Sequence, residues 1–334
     1  MIETDVVVVG GGPAGSSCAG ELLRRGFDVT VLDRSSFPRD KLCAGWVPPG
    51  LFRRLGIRPE EYPHGIREYR SLHFRIRGLP LPVPTRQYAI RRVELDAWLL
   101  ERSGADVRRH RVQKIERAEG GRGGPGGPGG RTGGEAGYII DESYSCRYLV
   151  GAGGTGCPVA FFARNAEDGE PDRRERLIVT VEEEFPCRVS GERCYLRFFD
   201  HGLQGYSWYF PKADGYLTVG IGGKQAYLAR RNETIRGHWR AFRQLLERRG
   251  LVTDREFSPS GHSYYLRGEK PVLGTEGIYL VGDAAGLATL DMGEGIEPAV
   301  HSGLLAARAI AGGGSYSVEQ VKKKSLPEIL RPGP

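Results

Sequence analysis

Five residues that read as a buried strand, Asp5-Val-Val-Val-Val9, run directly into Gly10-Gly11-Gly12-Pro13-Ala14-Gly15. Residues 16–25 then take helical spacing up to a stop at Gly26, and Val29-Thr-Val-Leu32 is strand-like again. A GxGxxG turn between a strand and a helix in a βαβ unit is the dinucleotide-binding arrangement. Gly10 permits the tight turn, Gly12 lets the backbone approach a pyrophosphate, and Gly15 allows close packing of helix on strand. Pro13 and Ala14 complete the cofactor-binding turn. Asp33 ends the second strand, with Arg34 beside it, and can accept hydrogen bonds from an adenosine ribose. An acid there disfavours a 2′-phosphate, so the ligand is FAD or NAD rather than NADP.

The choice between them falls at the other end of the chain. Gly277-Ile-Tyr-Leu-Val-Gly282-Asp283 is a buried strand entering a turn with one carboxylate, which suits a ribityl hydroxyl. Downstream, Gly293-Glu294-Gly295-Ile296 opens a helix whose free N–H groups can face a pyrophosphate or the carbonyl edge of a flavin. Two such turns flanking an inserted sheet indicate one large cofactor, FAD.

A chain of 334 residues, 39% apolar and 27% charged, can bury a large core and exceeds one simple domain. Residues 177–182, 193–198, 207–210 and 216–221 read as successive strands, the last two joined by the hairpin signal Ala213-Asp-Gly215. A helix over about 234–249 presents Ile235, Trp239, Phe242, Leu245 and Leu246 on one face to cover that sheet. From Asp40 to Pro84 the chain is rich in Gly, Pro and Arg and is expected to be mostly irregular, apart from a strand over 71–77. A helix is expected over Arg92–Arg102. Residues 119–137, nearly all Gly and Pro, are expected to form a flexible surface loop between two hairpin strands.

The expected fold is therefore α/β, a Rossmann-like FAD-binding domain with an inserted antiparallel substrate sheet. The FAD domain takes residues 1–70, 87–165 and 268–314, the substrate domain 71–86 and 166–267, and 315–334 form a C-terminal tail.

The net charge of +7 comes from scattered Arg rather than a basic run, which argues against nucleic acid. No apolar stretch reaches the roughly 18–20 residues of a spanning helix, and the start, Met1-Ile2-Glu3-Thr4-Asp5, is acidic where a signal peptide is basic. A cytoplasmic protein with at most peripheral membrane contact is expected. The six Cys form no CxxC and read as free thiols, and the seven His show no HxxxH or HxH spacing, so no metal site is expected.

Over about residues 3–312 the sequence resembles the geranylgeranyl reductase family, within the p-hydroxybenzoate hydroxylase type of FAD enzymes. Beside the two flavin turns and Ser302-Gly303, Phe37-Pro-Arg-Asp-Lys41-Leu-Cys43-Ala44-Gly45 is similar to a family segment that lies near the flavin. Arg92-Val-Glu-Leu-Asp96-Ala-Trp-Leu99 is similar to a helix whose Arg lies by the FAD. Tyr206-Ser-Trp208-Tyr-Phe210-Pro211 matches the family's Tyr-x-Trp-x-Phe-Pro signature, which lines a lipid-accepting cavity. The resemblance implies cofactor contacts from Lys41, Cys43, Ala44, Gly45, Arg92, Gly151 and Gly153. It puts Cys43, Tyr206 and Trp208 on the catalytic side. A lone Cys after a basic loop reads either as a small buried thiol or, with Arg39 and Lys41 nearby to lower its pKa, as a proton donor beside the flavin.

The implied reaction is hydride transfer from reduced flavin to a carbon–carbon double bond of an apolar, isoprenoid-like substrate. The rivals are a flavin monooxygenase or halogenase, whose Trp-x-Trp-x-Ile-Pro signature is absent, and an electron-transfer flavoprotein without a small-molecule substrate. Where related hydroxylases carry Asp, Ser and Arg associated with both FAD and NADPH, this chain has Gly153, Cys157 and Ala160. NAD(P)H and a redox protein therefore both stand as electron donors, the protein donor gaining plausibility. The segment after the last flavin-site helix is short, so a complete lipid tunnel is not implied.

Overall fold

The computed structural model describes all residues except 119–136, 165–172, 188, 190, 192, 254, 270–272, 275, 276, 313 and 331–334. In chain order the elements begin with β1 (Ile2–Val9), α1 (Pro13–Arg24), β2 (Val29–Asp33), β3 (Trp46–Val47), α2 (Pro49–Leu55), β4 (Ile66–Ile76), β5 (Leu79–Ile90) and α3 (Arg92–Ser103). There follow β6 (Asp106–Arg109), β7 (Ile115–Arg117), β8 (Tyr138–Ile140), β9 (Tyr144–Gly151), α4 (Pro158–Arg164), β10 (Leu177–Pro186), β11 (Tyr195–Phe198) and β12 (Gly205–Pro211). The rest are β13 (Tyr216–Lys224), α5 (Gln225–Arg230), α6 (Ile235–Arg248), β14 (Ser260–Tyr265), β15 (Ile278–Leu280), α7 (Ile296–Ile310) and α8 (Leu326–Ile329).

The chain divides into two compact units, Met1–Arg39 with Leu95–Glu170 and Arg267–Lys323, and Asp40–Glu94 with Pro171–Leu266 and Lys324–Pro334. In the first, a seven-stranded sheet runs β6-β2-β1-β9-β8-β7, with β15 also on β9. The strands from β6 to β9 are parallel and β9-β8-β7 antiparallel. Parallel strands covered on both faces must be apolar on both, which is why β1 reads as an unbroken valine run. Val6 and Val8 pack on one side with residues of α1 and α7, and Val7 and Val9 on the other with residues of α4.

The second unit is an eight-stranded sheet, β14-β10-β13-β12-β11-β4-β5-β3. Its pairs are antiparallel except β11–β4, which is parallel. Val181, Tyr209, Leu217 and Val219 face one way and pack with Trp239, Phe242 and Leu246 of α6. Thr234 caps that helix, its Oγ1 accepting the Gly237 N–H at 3.1 Å.

Two expectations shift. Residues 40–84 are not mostly irregular: they hold α2 and the long hairpin β4–β5, and the expected boundary between residues 70 and 71 falls inside β4. Residues 40–70 and 87–94 thus pack with the second sheet's unit. Pro80, Pro82 and Pro84 hide β5 from a sequence reading because proline usually ends a strand. Here they alternate opposite Arg75, His73 and Ser71, and β3 covers β5 only at Tyr88 and Ala89, so the missing N–H groups fall on an open edge. The glycine-proline loop expectation lies at 119–136, outside the described residues; the strands flanking it, β7 and β8, do form an antiparallel pair. No described helix is long and apolar enough to cross a membrane.

Candidate active site

In the first unit, α1 opens at Gly12 without any side-chain cap, so its leading N–H groups are left to a ligand. A Cβ on Gly12 would meet only the Arg39 guanidinium, at 3.5 Å, whereas one on Gly15 would lie 1.9 Å from the Gly10 carbonyl oxygen. Gly10 has φ +112° and Ala152 O where its Cβ would be, so only glycine makes the turn. Pro13 and Ala14 form the buried first turn of α1. Asp33 is buried and braces the loop, its two oxygens accepting the N–H groups of Gly11 and Ser35, each at 2.8 Å. Each oxygen keeps a lone pair for a ribose hydroxyl. Arg34 beside it is exposed.

The far turn closes onto this one. Gly282, at φ +58°, has Ala14 Cβ within 3.1 Å of its own missing Cβ, and its N–H donates to Ser302 Oγ at 2.9 Å. Asp283 Oδ1 lies 3.4 Å from the Cβ position of Gly295 at the N-terminus of α7, which Ile296 begins and where Glu294 Oε1 accepts the Glu297 N–H at 3.0 Å. Gly293, at φ +61°, leads into it. Glu294 and Glu297 are both held by Lys322.

An uncapped helix N-terminus, a glycine bare of Cβ and a buried carboxylate fit the pyrophosphate and ribose of FAD; Asp283 fits a ribityl hydroxyl. Gly151 and Gly153 differ in kind. A Cβ on Gly151 would meet Leu280, Val159 and Cys157, and one on Gly153 would meet Cys157, so packing alone accounts for both glycines. Arg39, expected from the sequence to act on Cys43, has a different place. It stacks on Phe37 at 4.7 Å and pairs at 3.4 Å with fully buried Asp96, beside Gly12.

The second unit carries the remaining candidates. Cys43 is half-buried, and its Sγ accepts the Gly45 N–H at 3.4 Å. Ala44 is half-buried and Arg92 buried. Lys41 Nζ lies 2.8 Å from His262 Nε2 on β14, while Arg39 is tied to Asp96, so both cations expected to act on Cys43 have other partners. A Cβ on Gly45, at φ +65°, would lie 2.5 Å from Lys212 Nζ, which brings that ammonium against the Cys43 loop.

Tyr206, Trp208 and Phe210 share the sheet face opposite the one α6 covers, because side chains alternate along β12. Strand register extends that face as rows, Trp208–Gly220–Glu182 and Tyr206–Gly222–Thr180. Gly220 is obligatory: its Cβ would lie 2.2 Å from the Trp208 ring. Tyr206 packs at 5.8 Å from Trp208 and 5.0 Å from Phe198.

Two acids project from β10 into this face. Glu184 takes Lys212 Nζ at 2.6 Å, Arg91 Nε at 2.8 Å and the Thr218 hydroxyl at 3.1 Å. Burial alone would raise its carboxyl, but Lys212 and Arg91 outweigh that and hold it below the usual range. Glu182, fully buried, is pushed up to about 7 by desolvation, against the pull of Lys212, Lys41 and Arg92. Nothing in the strand Leu177-Ile-Val-Thr-Val-Glu182 signals this, since its burial is conferred by other strands.

The family profile for FAD-dependent oxidoreductases matches residues 5–92. An uncharacterized protein of Methanosarcina barkeri is 30% identical over 351 residues, covering 99% of this chain and 81% of its own length. Digeranylgeranylglycerophospholipid reductase 2 of Methanosphaera stadtmanae is 27% identical, over 97% of this chain and 82% of that protein. The chain belongs to the geranylgeranyl reductase family of FAD-dependent oxidoreductases. It is an enzyme of that class, and FAD is its cofactor. The fold of the family is also that of the geranylgeranyl bacteriochlorophyll reductase-like protein of Thermoplasma acidophilum, at TM-score 0.77 and 22% identity over 93% of this chain and 79% of that one. The myxobacterial chondrochloren halogenase shares it at TM-score 0.68 and 24% identity, over 95% and 77%. Fold therefore does not separate this reductase family from halogenases; the residues on the sheet face must.

Proposed function

We propose that the enzyme saturates a carbon–carbon double bond of an apolar, isoprenoid-like lipid laid against the Tyr206–Trp208 face of the second unit's sheet. The observation that carries this reading is the aromatic row Tyr206, Trp208 and Phe210 on the face opposite α6, with the Trp208 ring lying directly on Gly220 and Gly222 continuing the glycine line of β13. The name of the Methanosphaera relative, a reductase of a digeranylgeranyl lipid, agrees with it.

Bound FAD, once reduced, supplies the hydride. The chain's residues do the rest. Gly10, Gly12, Pro13, Ala14, Gly15 and Asp33 hold the adenosine and pyrophosphate side; Asp283, Gly293, Gly295 and Ile296 hold the ribityl and flavin side. Lys41, Cys43–Gly45 and Arg92 are the further residues proposed to contact the cofactor. Tyr206, Trp208 and Phe210 exclude water and orient the chain of the lipid. The Lys212–Glu184 pair stiffens the polar end of the face.

A redox protein is the proposed electron donor, because Gly153 and Ala160 stand where related hydroxylases carry NADPH-associated charges. The proposed setting is the cytoplasm, with at most peripheral membrane contact.

The test is anaerobic chemical reduction of the flavin-loaded protein followed by addition of a prenyl lipid. Reoxidation of the flavin with a product heavier by one hydrogen molecule supports the reading. Substrate-dependent oxygen consumption with an oxygenated or halogenated product replaces it with the monooxygenase or halogenase alternative.

A further inference from the structure

Glu182 and Trp208 stand on either side of Gly220 in the row β10–β13–β12, and each carries a buried polar atom with no partner, Oε2 of the carboxyl and Nε1 of the indole. The Cβ position of Gly220 is 2.4 Å from Trp208 Cε2, next to that nitrogen, and 2.6 Å from Glu182 Cβ. A buried donor and a buried acid left unsatisfied in one row each forgo a bond that burial makes costly to lose. Their joint orphaning marks a spot built to meet a ligand rather than protein.

We propose that Glu182 is the proton donor to the substrate in this site. The proposal rests on the double-bond reduction argued above. As the hydride, with its electron pair, bonds to one alkene carbon, the π electrons at the other carbon take the proton from the Glu182 O–H. The substrate gains two electrons and the bound cofactor loses them. Glu182 is left as a carboxylate and takes its proton back from water before the next turnover.

The rest of the face is consistent with this assignment. Of the two carboxyls on this side of β10, Glu184 is committed to Lys212, Arg91 and Thr218. The groups acting on Glu182 are Lys212 from the end of β12, Lys41 from the loop after the first unit, Arg92 from the start of α3 and Glu184 on its own strand; His262 on β14, one row away opposite Thr180, holds Lys41. Its value of about 7 lets Glu182 both carry and release a proton near neutral pH, as a general acid requires.

The experiment compares flavin-loaded wild type with Glu182→Gln, Glu182→Asp and Cys43→Ala. Without substrate, infrared titration between about pH 5 and 9 should show a carboxylic acid band that disappears around neutrality and is missing in Glu182→Gln. In anaerobic single turnover of a prenyl lipid, Glu182→Gln should lose about 10²- to 10⁴-fold in rate with flavin content retained, and should lose the neutral-pH limb. Glu182→Asp, which keeps an acid, should keep that limb at a reduced rate, and it serves if the Gln variant does not hold flavin. A Glu182→Gln rate within about threefold of wild type with the limb preserved, or an infrared band that survives the substitution, overturns the assignment. Loss of the limb in Cys43→Ala alone gives the proton to Cys43. A wild type that reduces no prenyl double bond sinks the proposed function and this role with it, whereas an active wild type with an active Glu182→Gln sinks only this role.

Discussion

A Cβ on Gly303 would lie 2.2 Å from the carbonyl oxygen of Ala14. At this point α7 passes against the first turn of α1, and Ser302 next to it fixes Gly282, so the two flavin turns are aligned by one helix contact. Gly303→Ala forces the helices apart. It should destabilise the protein by about 1–3 kcal/mol, as overpacking does, and lower the flavin retained on purification, measured by denaturant unfolding and absorbance.

Asp283→Ala should leave the fold intact and remove the flavin. The carboxylate sits beside the Cβ position of Gly295 and is only half-buried, so no core is disturbed. Circular dichroism unchanged with the yellow chromophore gone is the expected result; full flavin occupancy would put the ribityl contact elsewhere.

Glu182 gives a pH signature in stability that needs no turnover. Its folded carboxyl titrates at about 7, above its ordinary value near 4.5. The unfolded chain therefore loses the proton first as pH rises. The penalty is absent below about 4.5, grows through the window up to about 7, and reaches about 3 kcal/mol above it. Apart from a constant offset, Glu182→Gln should gain stability relative to wild type between pH 4.5 and 8, as measured by urea unfolding at both ends.

Lys212 and Glu184 should respond unequally to substitution. Glu184→Ala strands an ammonium whose side chain is 0% exposed, and removing one partner of such a pair costs about 3–5 kcal/mol. Lys212→Met leaves Glu184 with Arg91 and Thr218 and should cost less, about 1–3 kcal/mol. Because the Glu184 carboxyl is depressed, its contribution is present above the ordinary carboxyl value and fades in acid as pH falls through the folded value. Equal losses in the two variants would contradict this.

Thr234→Ala removes the hydroxyl that accepts the Gly237 N–H at the start of α6. A loss of about 1 kcal/mol is expected, seen as a lower midpoint of unfolding without change in flavin content.

Elements whose constraints are local are legible in the chain before any fold is known. The Gly10–Gly15 turn, Asp33, the Gly282-Asp283 turn and the amphipathic α6 are each specified within a few residues, so periodicity and backbone freedom disclose them. The aromatic alternation of Tyr206, Trp208 and Phe210 was likewise legible as one strand face. Tertiary structure alone decided that β5, with three prolines, is a strand, because an open edge demands no N–H from them. It alone decided that Gly151 and Gly153 answer to packing and that Arg39 is held by Asp96 beside Gly12. It alone isolated Glu182, since the burial of that carboxyl depends on a glycine in β13 and an indole in β12. Which strands become neighbours is a property of the whole chain, and desolvation is set by those neighbours rather than by the residues adjacent in sequence.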